Sequence, residues 1–237
     1  MTNPIVLVHG AFHGAWCWRP VVEGLRAAGA QVEAIDLPGH GASEAPMSDL
    51  YGDAAAVRQV LAALDGPAIL CGHSYGGAVI SEAVDDPSRV AHLVYLAALV
   101  PRAGRTAQAD VDELEPGGMG EALRKAMIPL EDGLSRLDPA LADEIFYHDC
   151  RPADRDWAVA RLETQRVTNF GQIISHAPWI EVPSTYVLCE ADRAITPSLQ
   201  EKLATRCGET LRLSAGHFPS ISQPERIVDL LLSLAIR

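Results

Sequence analysis

Ala68-Ile69-Leu70-Cys71 runs directly into Gly72-His73-Ser74-Tyr75-Gly76, and this junction decides the fold. Four apolar residues read as a buried strand. The five that follow read as a G-x-S-x-G elbow, in which a serine sits on a sharp strand-to-helix turn with its hydroxyl raised above the sheet edge. Such a turn is strained, and glycines on both sides allow the backbone to approach itself closely. Gly77-Ala78-Val79-Ile80-Ser81-Glu82-Ala83-Val84 then reads as a buried helix. The context of strand, turn and helix distinguishes a nucleophile from a merely structural turn.

Working outward, short apolar runs alternate with helical patterns. Strands are expected at Ile5–Val8, 31–35, 68–71, 91–97, 185–189 and 211–213. Helices are expected from Arg19, with Pro20 in its first turn, from Leu50 to a Gly66-Pro67 stop, from Pro197 and from Pro224. This βαβα order predicts an α/β fold of about six mainly parallel strands with helices on both faces. With the second and third strands on opposite sides of the first, a switch point opens between strands one and three. Ligands bind in such crevices, beyond the carboxyl ends of the strands. The His9-Gly10-Ala11 loop and the Ser74 elbow would both face it.

Residues 101–181 break the pattern. The segment contains Pro101, Pro116, Pro129, Pro139, Pro152 and Pro178, a Gly117-Gly118 pair, and a helical stretch from Asp154 to Gln165, with no convincing β run. The expected division is therefore a core of 1–100 and 182–237 with a small helical cap at 101–181. Met119, Met127, Phe146, Tyr147, Trp157 and Phe170 in this insertion are expected mostly to pack it onto the core.

With 237 residues, 48% of them hydrophobic, the chain has the material for one domain with a sizeable core. A formal net charge of -12 argues against nucleic acid and acidic membrane surfaces as partners. The five cysteines form no C-x-x-C pair, which fits a reducing compartment. No segment has the apolar length to span a bilayer, and the N-terminal residues show no signal-peptide pattern. The expectation is a cytoplasmic protein without cofactor or metal; a homodimer stays open as its assembly.

A serine hydroxyl needs a base to take its proton. Of eight histidines, His217 follows the last strand, where a loop can reach back over the sheet edge, and is the expected base. His9 is expected to orient the strand-one loop, His40 to shape a turn, His73 to point away from the site and His13 to line the pocket mouth. Asp192, after strand five, is the expected acid that orients His217; Glu190 and Asp36 are its rivals, with Asp36 better suited to shaping a loop. The chain order is then Ser74, Asp192, His217. The acyl transition state needs preset donors for its oxyanion, and position selects the backbone N–H groups of Ala11 and Tyr75. Phe12, His13 and Phe218 are the expected pocket residues.

Val6-Leu7-Val8-His9-Gly10-Ala11-Phe12-His13-Gly14-Ala15-Trp16 is similar to the H-G-A-x-H-G-A/G-W opening of the plant methylesterase and hydroxynitrile lyase family of the α/β-hydrolase superfamily, and to related bacterial esterases. Asp36-Leu37-Pro38-Gly39-His40-Gly41, Gly72–Gly77 and Ala215-Gly216-His217 also fit its pattern. The resemblance covers the core at both ends and implies a six-stranded α/β-hydrolase core under a helical cap, with cofactor-free chemistry. The lyases most like this chain carry threonine after the first histidine and lysine after the catalytic one. Here Gly10 and Phe218 stand there, and phenylalanine cannot stabilise departing cyanide. The leading expectation is a serine carboxylesterase for small to medium apolar esters. A hydroxynitrile lyase, a lactone or C–C bond hydrolase on the same triad, and a ligand-binding protein that kept the fold are the alternatives.

Overall fold

The computed structural model describes residues 2–116 and 121–236; the Gly117-Gly118 pair and Met119 lie outside them. In chain order the strands are β1 (Ile5–Val8), β2 (Val32–Ile35), β3 (Ala68–His73), β4 (Val90–Leu96), β5 (Met127–Pro129), β6 (Leu134–Leu137), β7 (Gln165–Arg166), β8 (Ser184–Cys189) and β9 (Glu209–Leu213). Six of them form one sheet in the order β2-β1-β3-β4-β8-β9, and every pairing in it is parallel. The order reverses between β1 and β3, which is the switch point anticipated from the sequence.

The central strands read as unbroken apolar runs because both faces of the sheet are covered. Alternate residues still enter different cores. Ile5, Leu7, Ile69, Cys71, Val94, Leu96, Val187 and Cys189 face one cluster, shared with Val21, Leu25, Ile227 and Leu231 of the helices Arg19–Ala27 and Pro224–Ala235. Val6, Val8, Leu70, Leu93, Tyr95, Tyr186 and Leu188 face the other, shared with the helices Leu50–Ala63, Gly76–Ala83 and Pro197–Ala204. A helix layer on each face fixes the sheet, and the sheet fixes where its strand ends present their loops.

The insertion, expected to be mostly helical without a convincing β run, also contains strands. Alongside the helices Ala107–Leu114, Glu121–Ala126, Pro139–Phe146 and Pro152–Val159, β5, β6 and β7 form a three-stranded antiparallel sheet. These strands are two to four residues long, too short for a period-2 signal to emerge. The helix expected to reach Gln165 ends at Val159. Beyond it, the Glu163 N–H donates to Phe12 O at 2.9 Å, and Gln165 pairs with Ser135.

Candidate active site

The elbow owes its shape to contacts that exclude side chains. A Cβ on Gly72 would lie 2.5 Å from Gly76 O, one on Gly76 2.7 Å from His9 O, and one on Gly77 2.2 Å from Leu99 O. Ser74 itself has φ 55, a left-handed conformation that costs a non-glycine residue about 1–3 kcal/mol and persists only where the surroundings enforce it. Here they do: the Ser74 N–H donates to Leu96 O at 3.2 Å, and Ser74 O accepts from Gly77 N–H at 3.0 Å and Leu99 N–H at 3.1 Å. Phe12, in the facing loop after β1, has φ 66.

Asp192 lies in the turn after β8 and His217 in the loop after β9; both are buried. His217 Nδ1 lies 2.7 Å from Asp192 Oδ2. A carboxylate oxygen accepts, so Nδ1 carries the ring proton and Nε2 keeps its lone pair. Asp192 Oδ1 accepts from the N–H groups of Ala194 at 2.7 Å and Ile195 at 3.0 Å. The Phe146 ring stacks on the His217 ring, centroids 5.3 Å apart. Ser74 and His217 line the same cavity with Ala11, Phe12, His13 and Phe218, and its space free of protein atoms, including its opening, is about 610 Å³. No hydrogen bond joins Ser74 Oγ to His217 among the described residues; in hydrolytic sites that contact commonly tightens only with substrate. The other walls are Leu123, Met127, Phe146, Val167, Phe170 and Ile195, with Gln108 as a polar exception and, among the described residues, no charged one.

Among the described residues, the N–H groups of Ala11 and Tyr75 have no acceptor within the chain. The Gly10–Ala11 peptide is held from behind. His9 Nδ1–H donates to Gly10 O at 2.8 Å, while His9 Nε2 accepts from Leu37 N–H at 3.1 Å. In a trans peptide the N–H points opposite to the C=O, so this bond turns the Ala11 N–H away from His9. The next peptide is clamped as well. His13 Nδ1–H donates to Ala11 O at 2.7 Å, and Phe12 N–H donates to Gln165 Oε1 at 3.3 Å. Tyr147 OH closes the set by donating to His13 Nε2. Burial, aided by the neighbouring His40, pushes His9 down to about 3. Burial likewise pushes His13 down to about 3. Both are neutral.

One side-chain expectation is corrected. His73 does not point away from the site: its Nε2–H donates to His217 O at 2.8 Å, fixing the main chain of the expected base. Tyr75 does not line the cavity; its hydroxyl donates to buried Asp53 at 2.8 Å, and Asn169 Nδ2 reaches both groups. The rivals of Asp192 are engaged elsewhere. Asp36 accepts from Ala15 N–H and Ala42 N–H, as a loop-shaping residue should. Glu190 accepts from Ser214 Oγ. Asp149 escaped the sequence reading altogether. It accepts from Gly216 N–H at 2.7 Å and Ser222 Oγ at 2.9 Å, pinning the His217 loop to the insertion. Its aspartate gives no sequence signal of this.

Comparison with known proteins agrees with this geometry. Residues 5–230 match the model of the alpha/beta hydrolase family. The chain is 31% identical over 246 residues to a pyrethroid hydrolase of Sphingobium wenxiniae, covering 98% of this chain and 87% of that protein. It is 28% identical over 255 residues to esterase PIR7B of Oryza sativa subsp. japonica, covering 97% and 94%. The crystal structure of a pyrethroid hydrolase from Sphingobium faniae JZ-2 superposes with a TM-score of 0.88 at 28% identity, covering 100% of this chain and 98% of that one. The chain belongs to the alpha/beta hydrolase family, among its carboxylesterase-type hydrolases.

Proposed function

We propose that this protein is a serine carboxylesterase that cleaves small to medium, mostly apolar esters through an acyl-enzyme. The observation that carries the reading is the Asp192–His217 pair, 2.7 Å apart, opening on the same apolar cavity as Ser74. Ser74 Oγ attacks the ester carbonyl and passes its proton to His217 Nε2, while Asp192 holds the imidazolium. The tetrahedral oxyanion accepts from Ala11 N–H and Tyr75 N–H, each free of an internal acceptor. His217 then protonates the departing alcohol. Water attacks the acyl-enzyme with His217 again as base, releasing the acid and restoring Ser74.

Residues 101–181 act as the cap, since Gln108, Leu123, Met127, Phe146, Val167 and Phe170 supply much of the cavity wall. Phe12, His13 and Phe218 line it from the core side of the chain. A cavity without charged walls favours neutral esters over substrates carrying a free carboxylate. Cyanohydrin cleavage lacks its cation: Phe218 is 1% exposed, packed 4.3 Å from His13 and 4.4 Å from His73 by ring centroids. The free cysteines fit a reducing, cytoplasmic setting; among the described residues no helix is long and apolar enough to cross a membrane.

The test is a panel of p-nitrophenyl esters of increasing acyl length, lactones and mandelonitrile, assayed with wild type and Ser74→Ala. Ester hydrolysis that Ser74→Ala abolishes supports the proposal. Hydrolysis undiminished in that variant, or cyanide release faster than any ester cleavage, overturns it.

A further inference from the structure

Gln200 is fully buried on the helix Pro197–Ala204, and its carboxamide touches the Asp192–His217 pair. Its Oε1 accepts from Cys189 N–H at 2.9 Å. Its Nε2 donates to Ile195 O at 2.7 Å and to Asp192 Oδ2 at 2.9 Å. The network dictates which way the amide faces, because one end meets a donor and the other meets two acceptors. Asp192 Oδ2 is the same oxygen that accepts from His217 Nδ1.

Resting on the serine-hydrolase reading above, we propose that Gln200 is a positioning residue of the reaction. It fixes the rotation of the Asp192 carboxylate and shares Oδ2 with His217, tempering the negative charge that the imidazole feels. A lysine or arginine at this place would cancel that charge. A neutral donor orients the carboxylate and leaves most of its field intact. The Ala194 and Ile195 N–H groups do the same for Oδ1, so the carboxylate is held at both oxygens.

The groups facing the pair make Asp192 the dominant charge. His73 from the elbow and His13 from the loop after β1 face His217, and burial keeps both neutral. Tyr186 and Cys189 of β8 face Asp192, and burial pushes both well up, leaving them protonated. Asp149 of the insertion is engaged with Gly216 N–H and Ser222 Oγ.

The experiment compares kcat, KM and the pH profile of kcat/KM for wild type, Gln200→Met and Gln200→Glu on one activated ester. Active sites are counted by titration with an organophosphonate, so misfolded protein does not enter the rates. Gln200→Met keeps the bulk and removes the donor. Its kcat is expected to fall about tenfold with KM within about twofold, the effect of one hydrogen bond to a charged group. The acid limb of its kcat/KM profile moves to higher pH by about half a unit, because a less neutralised Asp192 favours the imidazolium. Gln200→Glu keeps an acceptor for Cys189 N–H, and its buried carboxyl must hold a proton beside Asp192 Oδ2 and Ile195 O, so it still donates and its limb is expected near that of wild type. A kcat and an acid limb that match wild type in Gln200→Met overturn the role of Gln200 while leaving the hydrolase reading intact. Hydrolysis surviving in Ser74→Ala sinks that reading instead.

Discussion

Lowering the pH from 7 to 5 should strip this protein of much of its stability, and three buried histidines set the size of the loss. His9 and His13 are held down to about 3 by burial, and His73 is held well below the usual imidazole range, first by burial and then by His217. The hydrogen bonds require the same neutrality. His9 Nε2 accepts from Leu37 N–H and His13 Nε2 accepts from Tyr147 OH, so protonating either ring would set donor against donor. A folded-state pKa below the unfolded value of 6.5 means that the unfolded chain takes up protons first as pH falls. Stability is therefore whole above about pH 6.5 and declines below it. His9 and His13 each contribute a loss of about 2 kcal/mol between pH 7 and pH 5, and His73 adds a loss in the same direction. Asp53 works the other way. Burial pushes its carboxyl up to about 6, so its protonation in the folded state returns about 1 kcal/mol over the same interval. The net loss from His9, His13 and Asp53 is about 3 kcal/mol before His73 adds to it, a large share of the roughly 5–15 kcal/mol that holds a typical domain together. Carboxylates held low by partners, such as Asp49 under the Gly52 N–H, release their contribution only below about pH 4 and do not confuse this window. Urea unfolding followed by tryptophan fluorescence at pH 7, 6 and 5 measures the loss directly. His13→Gln should remove about 2 kcal/mol of the difference between pH 7 and pH 5. Stability that stays level or rises from pH 7 to pH 5 would refute the reasoning.

Other substitutions test separate parts of the structure. The raised Asp53 carboxyl stabilises the fold fully below about pH 4 and loses that contribution as pH rises through about 6. Asp53→Asn should therefore raise stability at pH 7 by up to about 3 kcal/mol, with the gain vanishing towards pH 4; a loss at pH 7 in urea titrations would contradict this. Gly77→Ala places a Cβ 2.2 Å from Leu99 O and should cost about 3 kcal/mol or more, lowering the melting temperature by well over 5 °C. An unchanged melting curve would show that the elbow relaxes freely. Asp192→Asn removes the acceptor that sets the His217 tautomer and should lower kcat about 10⁴-fold with little change in circular dichroism. A drop under tenfold would mean that another group orients His217.

The fold was legible because its core strands are buried on both sides, so their sequences are unbroken apolar runs. Helix starts were marked by Pro20, Pro197 and Pro224, all in the first turn. The elbow was legible because Gly72 faces the backbone of Gly76 and Gly76 faces that of His9, a steric demand that only glycine meets. Ser74, Asp192 and His217 stand at loop positions after strands, where the topology gathers them. What escaped was polar support. Gln200, Gln165, Asn169, Asp53 and Asp149 look like ordinary surface residues in the sequence, and the first four are buried only by long-range contacts. His73 was misread because its partner, His217 O, lies 144 residues away. The insertion's short strands were missed because pairing between segments, rather than local pattern, creates them.

The most direct test of the central claim is to react the wild-type enzyme with a fluorophosphonate during turnover of a p-nitrophenyl ester and map the modified residue by peptide mass spectrometry. The account predicts one label per chain, on Ser74, with hydrolysis lost in proportion to labelling. Full inactivation with Ser74 unmodified, or full labelling of Ser74 with hydrolysis intact, would contradict it.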